Sequence, residues 1–66
     1  MLNMEDDLLN VEEVAAYLKV SPKTIYRLLK RGEIPAARIG HHWRFDRKTI
    51  NTWVSRESMK NLRDIA

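Results

Sequence analysis

Val20-Ser21-Pro22-Lys23-Thr24-Ile25-Tyr26-Arg27-Leu28-Leu29-Lys30-Arg31-Gly32-Glu33-Ile34-Pro35 is the stretch whose reading decides the fold of this 66-residue chain. Serine is a good N-cap, and proline suits the first helical position because its missing N–H would go unpaired there anyway. Ile25, Leu28 and Leu29 then fall on one helical face. Gly32 stands where a left-handed residue closes a helix, and Pro35 blocks continuation. The stretch predicts a helix from about Pro22 to Arg31.

Upstream, Asn10 is followed three residues later by Glu13, the spacing of a capping box. Val11, Val14, Ala15 and Leu18 follow at i, i+3, i+4 and i+7. That predicts an earlier helix from about Val11 to Lys19, its start stapled by Leu8 and Leu9. So short a link to the second helix forces a steep crossing, the helix-turn-helix arrangement.

Downstream, Ala37-Arg38-Ile39 and Trp43-Arg44-Phe45 alternate apolar with basic around Gly40-His41-His42. This is the period of a small hairpin, with Ile39, Trp43 and Phe45 turned to the core and Arg38 and Arg44 outward. Asp46 caps a third helix in which Ile50, Trp53 and Val54 repeat the apolar spacing. Beyond Ser55 the stripe breaks.

The expected fold class is therefore mainly α with a small β-hairpin. Its architecture is a winged helix-turn-helix of three helices plus a two-stranded wing over residues 8–57. Residues 1–7 are expected as a disordered acidic N-terminus, and 58–66 as a C-terminal tail, helical or frayed.

Composition narrows the function. Below roughly 60 residues folding alone becomes marginal, and a substrate pocket of roughly 300–1,000 Å³ would consume most of such a core. The absence of Cys excludes a disulfide framework and a thiolate metal cage. The longest apolar run is five residues, Val14 to Leu18, too short for a membrane span or a signal-peptide core. The expected location is the cytoplasm, associated with the nucleoid.

The net charge of +3 conceals an asymmetry. Residues 1–18 hold five acids and no Lys or Arg, whereas residues 19–48 hold nine basic residues against Glu33 and Asp46. A concentrated positive middle is the footprint of a polyanion binder.

Helical geometry shows where that charge acts. With Ile25 at the centre of the buried face, Lys23, Arg27 and Lys30 fall about 140–200° away, while Tyr26, Thr24 and Arg31 flank them. A solvated face ordinarily mixes signs to gain i,i+4 pairs. Here Lys23–Arg27 and Arg27–Arg31 are like-charge neighbours, a repulsion that phosphates would relieve.

The major groove of B-DNA, roughly 12 Å wide, admits one helix. Arg27 suits base-edge readout, most naturally guanine, because its planar fork bonds O6 and N7 together. Lys23 and Lys30 suit phosphates, Thr24 and Tyr26 bases or phosphates, and the helix N-terminus with its free amides favours phosphate. Arg38, His41, His42 and Arg44 stand on or near the hairpin tip, suited to the minor groove or flanking phosphates. Two adjacent His without Cys or a well-spaced carboxylate are too few ligands for a metal. Their expected role is backbone contact, strengthened by protonation. Trp43 and Trp53 keep phase with Ile39, Phe45, Ile50 and Val54, which favours core over base-stacking platforms. No Ser–His–Asp grouping, Gly-rich phosphate loop or carboxylate pair in a cleft appears, so neither an enzyme nor a cofactor is expected.

These residues resemble the excisionase-type, MerR-like helix-turn-helix family of bacterial and phage DNA-binding domains. The likeness runs from Leu9-Asn10-Val11-Glu12-Glu13-Val14-Ala15-Ala16-Tyr17-Leu18 through the Val20–Pro35 stretch to Ala37-Arg38-Ile39-Gly40, Trp43-Arg44-Phe45, Ile50 and Trp53. It implies that the helix over residues 21–31 enters the major groove and that the hairpin is the wing. His41 and His42 depart from the Arg or Lys often found at the family's wing turn. MerR-type activators also continue into a long dimerisation helix and an effector domain. With the chain ending at Ala66, no ligand-sensing switch is expected on it.

The expected partner is double-stranded DNA, bound by a transcriptional regulator or an excisionase-like recombination directionality factor. One module covers only a few base pairs, so added copies on direct repeats, a dimer or an integrase are expected beside it. The competing reading is a protein-interaction module that docks through Met59, Leu62 and Ile65 of the tail.

Overall fold

The computed structural model of the chain describes residues 8–65, and side chains through residue 60. The elements run β1 (Leu8–Leu9), α1 (Val11–Leu18), α2 (Pro22–Arg31), β2 (Ala37–Ile39), β3 (His42–Asp46) and α3 (Arg47–Ile65). The acidic stretch 1–7 lies outside the described residues.

Both helices of the helix-turn-helix are closed at each end by their own sequence. The Asn10 amide donates to Glu13 Oε1 at 2.9 Å while the Glu13 amide donates to Asn10 Oδ1 at 2.8 Å, a complete capping box. Helix α1 stops at Leu18, one residue short of the sequence expectation, because Lys19 turns left-handed at φ 58°. Its amide and that of Val20 then satisfy the Ala16 and Ala15 carbonyls at 3.2 and 2.9 Å. Helix α2 opens on Ser21, whose Oγ accepts from the Thr24 amide, and has Pro22 in its first turn. It ends on Gly32 at φ 66°, where the Gly32 and Glu33 amides bond the Leu29 and Leu28 carbonyls. Nothing lies within 4 Å of a Cβ built at Gly32, so backbone conformation alone favours glycine there.

The sheet is larger than a two-stranded wing. Its order is β1-β3-β2, with Leu8 and Leu9 pairing antiparallel with Asp46 and Phe45. Leu8–Leu9 thus ties the start of α1 to the base of the hairpin rather than merely stapling the helix.

In the wing, Ala37, Arg38 and Ile39 pair with Arg44, Trp43 and His42. That leaves Gly40 and His41 as a two-residue turn. Gly40 alone of the two has positive φ, at 65°, the pattern of a type II′ hairpin turn.

This register corrects the expected facing. Directly opposed residues share a face, so Arg38 lies with Trp43, and its guanidinium sits 5.6 Å from the centre of the Trp43 ring. Ile39 goes with His42 to the opposite face, beside Arg44, and is 58% exposed instead of buried. Val54 is likewise at the surface, 37% exposed.

The core consists of Leu9, Val11, Val14, Ala15, Ile25, Ile34, Phe45 and Ile50, with Leu18, Leu28, Leu29, Trp43 and Trp53 packed half-buried around it. Among the described residues no polar or charged side chain is buried. The helices and sheet are therefore held by apolar packing, and each large core side chain is worth about 1.5–3 kcal/mol of burial.

Helix α3 starts directly at the end of β3. Asp46 Oδ2 accepts from the Thr49 amide at 3.0 Å and the Thr49 hydroxyl at 2.8 Å. Those bonds, the hydroxyl's foremost, hold the Asp46 carboxyl below its ordinary pKa. Tyr17 of α1 donates its hydroxyl to Asn51 of α3 and lies under the Arg47 guanidinium, 5.1 Å from its ring centre. This joins α1 to α3 at the surface. The helix continues through Ile65, so the tail after Ser58 is an extension of α3.

Candidate nucleic-acid interface

The site begins with what the core leaves outside. Ile25 is fully buried, which anchors α2 by the face that carries it and turns Lys23, Arg27 and Lys30 to solvent. Arg31 is exposed at the end of the same helix, and Tyr26 is 52% exposed along its flank. Among the described residues, Lys23, Arg27, Lys30 and Arg31 form no ion pair or hydrogen bond through their side chains. By contrast, α3 carries the Lys60–Glu57 pair at 3.3 Å.

Thr24 occupies a different position from its cationic neighbours. It is half-buried, and its hydroxyl lies 3.1 Å from Ser21 Oγ, so it is engaged in capping α2. The first turn is also less open to anions than its sequence implies. Pro22 has no N–H and the Thr24 amide is bonded to Ser21, leaving the Lys23 amide as the outward donor. The Ser21 cap itself accounts for this, because an N-cap side chain takes the amide of the third helical residue.

Tyr26 links helix and wing. It lines a groove of about 420 Å³ together with His41, His42, Trp43 and Arg44 of the wing and Asn10, Val11 and Glu12 at the α1 start. The fold thus gathers Tyr26, His41, His42 and Arg44 into one concave surface beside the cationic ridge. His41 and His42 are exposed at the hairpin turn. The Arg44 guanidinium donates to the Trp43 carbonyl at 2.9 Å, which restrains it along the strand.

Arg38 is separated from Arg44 by the thickness of the sheet and rests on Trp43 instead. Stacking on an indole restricts the guanidinium while leaving its N–H edges free to donate. Glu12 is a groove residue that the sequence does not single out. Its only sequence signal is that Glu13 is consumed by the capping box, which leaves Glu12 one position round the helix with its carboxylate outward.

Among the described residues, no cluster of three His, Cys, Asp or Glu side chains is spaced to hold a metal ion. Nor is any helix among them long and apolar enough to cross a membrane. Of the proposed docking stripe, Met59 is 61% exposed, while the side chains of Leu62 and Ile65 lie outside the described set.

Known proteins are similar to this chain in sequence. "Putative DNA-binding protein Rv0500A" of Mycobacterium tuberculosis strain H37Rv is 48% identical over 44 residues, 67% of this chain and 56% of the relative. "Putative DNA-binding protein MT0521" of strain CDC 1551 matches to the same extent. "Uncharacterized protein YvgK" of Bacillus subtilis is 41% identical over 49 residues, 74% of this chain but 16% of the relative. The chain thus spans about half the length of the mycobacterial relatives and a small part of the Bacillus protein. No solved structure matches it significantly. Residues 8–58, from β1 into α3, match the helix-turn-helix domain family. With capped α1 and α2, the tight turn between them and the wing all inside that span, the chain belongs to the excisionase-like helix-turn-helix domain family.

Proposed function

We propose that this protein binds double-stranded DNA sequence-specifically, with α2 in the major groove and the wing on the minor groove or the adjacent backbone. The observation that carries this reading is the exposed face of α2: Lys23, Arg27, Lys30 and Arg31 with no acid on the helix and no side-chain partner among the described residues. Arg27 reads a base edge, guanine by preference. Lys23 and Lys30 neutralise phosphates, with Thr24, Tyr26 and Arg31 beside them. Arg38, His41, His42 and Arg44 continue the contact along the wing. The mycobacterial relatives, titled as DNA-binding proteins, support the same partner.

Residues 8–57 form the binding unit, and residues 58–65 lengthen α3 beyond it. One such module covers roughly 600–1,000 Å² of protein surface on DNA, too little to select a single genomic address. The protein therefore acts as several copies on direct repeats, as a dimer, or beside an integrase. Its role is transcriptional regulation or excisionase-like control of recombination direction, in the cytoplasm on nucleoid DNA. This binding function involves no catalytic step.

Titration of a mixed-sequence duplex at several salt concentrations tests the reading. DNA binding predicts log K falling linearly with log salt, with a slope of about −0.9 for each phosphate neutralised. Selection from a randomised duplex pool then yields the preferred site. Affinity independent of salt, or no enrichment on selection, contradicts the proposal and favours a protein partner for the tail.

A further inference from the structure

We propose that Glu12 is a specificity-determining residue, selecting a base that presents an exocyclic amino group to the groove between α2 and the wing. This inference rests on the DNA-binding reading above and assigns a role to a residue outside the cationic ridge. Glu12 is exposed on the first turn of α1 and lines the same groove as Tyr26, His41, His42 and Arg44. Its neighbour Glu13 is occupied by the capping box, whereas Glu12 has no hydrogen bond or ion pair among the described residues. The groove thus carries one cation, Arg44, and the polar groups of Tyr26, His41 and His42, together with one carboxylate that makes no side-chain bond.

The chemistry of that carboxylate is restrictive. Ionised, it accepts hydrogen bonds and donates none. Most of the surface a duplex offers is also acceptor: phosphate oxygens, and in the major groove the N7, O6 and O4 edges. The donors there are the N4 amine of cytosine and the N6 amine of adenine. A register that brings phosphate to Glu12 is penalised by like charge, and one that brings a base amine to it gains a charge-assisted hydrogen bond. Glu12 accordingly lowers affinity for generic DNA and favours sites with cytosine or adenine at one position.

Two neutral variants test this, with Glu33→Gln as a control that removes an equal charge at the C-terminal end of α2. Glu12→Ala retains helix propensity and Glu12→Gln retains size; circular dichroism checks that each is folded. For both, affinity for a mixed-sequence duplex should rise on the order of fivefold at 0.1 M salt, with a log–log slope steeper by up to about 1. Selection from a randomised pool should return the wild-type site with one cytosine or adenine position made degenerate in Glu12→Ala. Glu33→Gln should leave every selected position unchanged and raise generic affinity less. An unchanged generic affinity, an equal rise in Glu33→Gln, or an intact amine-bearing position in Glu12→Ala each overturns the assignment. If the wild-type protein itself fails to bind the mixed duplex, the DNA-binding reading fails first.

Discussion

Helices α2 and α3 are alike beneath and unlike above. Each is anchored by a fully buried isoleucine, Ile25 in one and Ile50 in the other. On the outside, α3 behaves as a solvated helix. Asp46 caps its start, and Glu57 and Lys60 pair one turn apart. Helix α2 spends its outer face on like-charge neighbours that weaken an isolated helix by a few tenths of a kcal/mol per pair. The difference is that α2 leaves four cations without an acid on the helix or a side-chain partner among the described residues, whereas α3 pairs Lys60 with an acid of its own.

The largest expected effects treat the two helices equally. Ile25→Ala and Ile50→Ala should each cost about 2–5 kcal/mol of unfolding free energy, because each empties a fully buried site. Denaturant titration reads this. A loss under 1 kcal/mol at either would place that helix outside the shared core.

The next effect should separate them. Arg27→Ala should remove roughly 1–3 kcal/mol of base discrimination, measured as the affinity ratio between the selected duplex and one altered at a single position. It should leave folding stability almost unchanged. Arg56→Ala on α3 should leave discrimination untouched, and an equal loss there would erase the distinction. Smaller again, Lys23→Ala or Lys30→Ala should weaken all sequences alike and flatten the log–log salt slope by about 1. Lys60→Ala should not, since that ammonium already pairs with Glu57.

The smallest effect concerns the cap at the start of α3. The Asp46 carboxyl is held below its ordinary value of 3.8 by the Thr49 hydroxyl and amide. A lowered folded pKa means that its contribution to stability is in place above the unfolded value. That contribution fades as pH falls through 3.8 toward the lower folded value. Thermal unfolding from pH 5 to pH 2 should therefore show a steeper loss in the wild-type protein than in Asp46→Ala. Parallel curves would mean that Asp46 does not cap α3.

What the sequence made legible follows from the range of the interactions involved. The ends of α1 and α2 are set by neighbours three residues apart, Asn10 with Glu13 and Ser21 with Thr24, and by Gly32. All of these are visible without a fold. The wing was harder. Strand side chains alternate with period two, so facing depends on which residues the turn places opposite one another. The Gly40-His41 turn pairs Ile39 with His42 and Arg38 with Trp43, which separates two arginines that alternation alone grouped together. Strand β1 is only two residues long, and its partners lie more than thirty-five residues away. Nothing local marks Leu8–Leu9 as a strand rather than a helix staple.

The candidate site divides the same way. The cationic ridge was legible because one helix carries it. The groove was not, because Glu12, Tyr26 and the wing meet only through the packing of three elements.

Amide chemical shifts during titration with the selected duplex test the central claim most directly. Amides across residues 23–31 and 38–44 should move or broaden as DNA is added, while those of residues 52–60 on α3 stay in place. Shifts confined to α3, with α2 unmoved at saturating duplex, would contradict it.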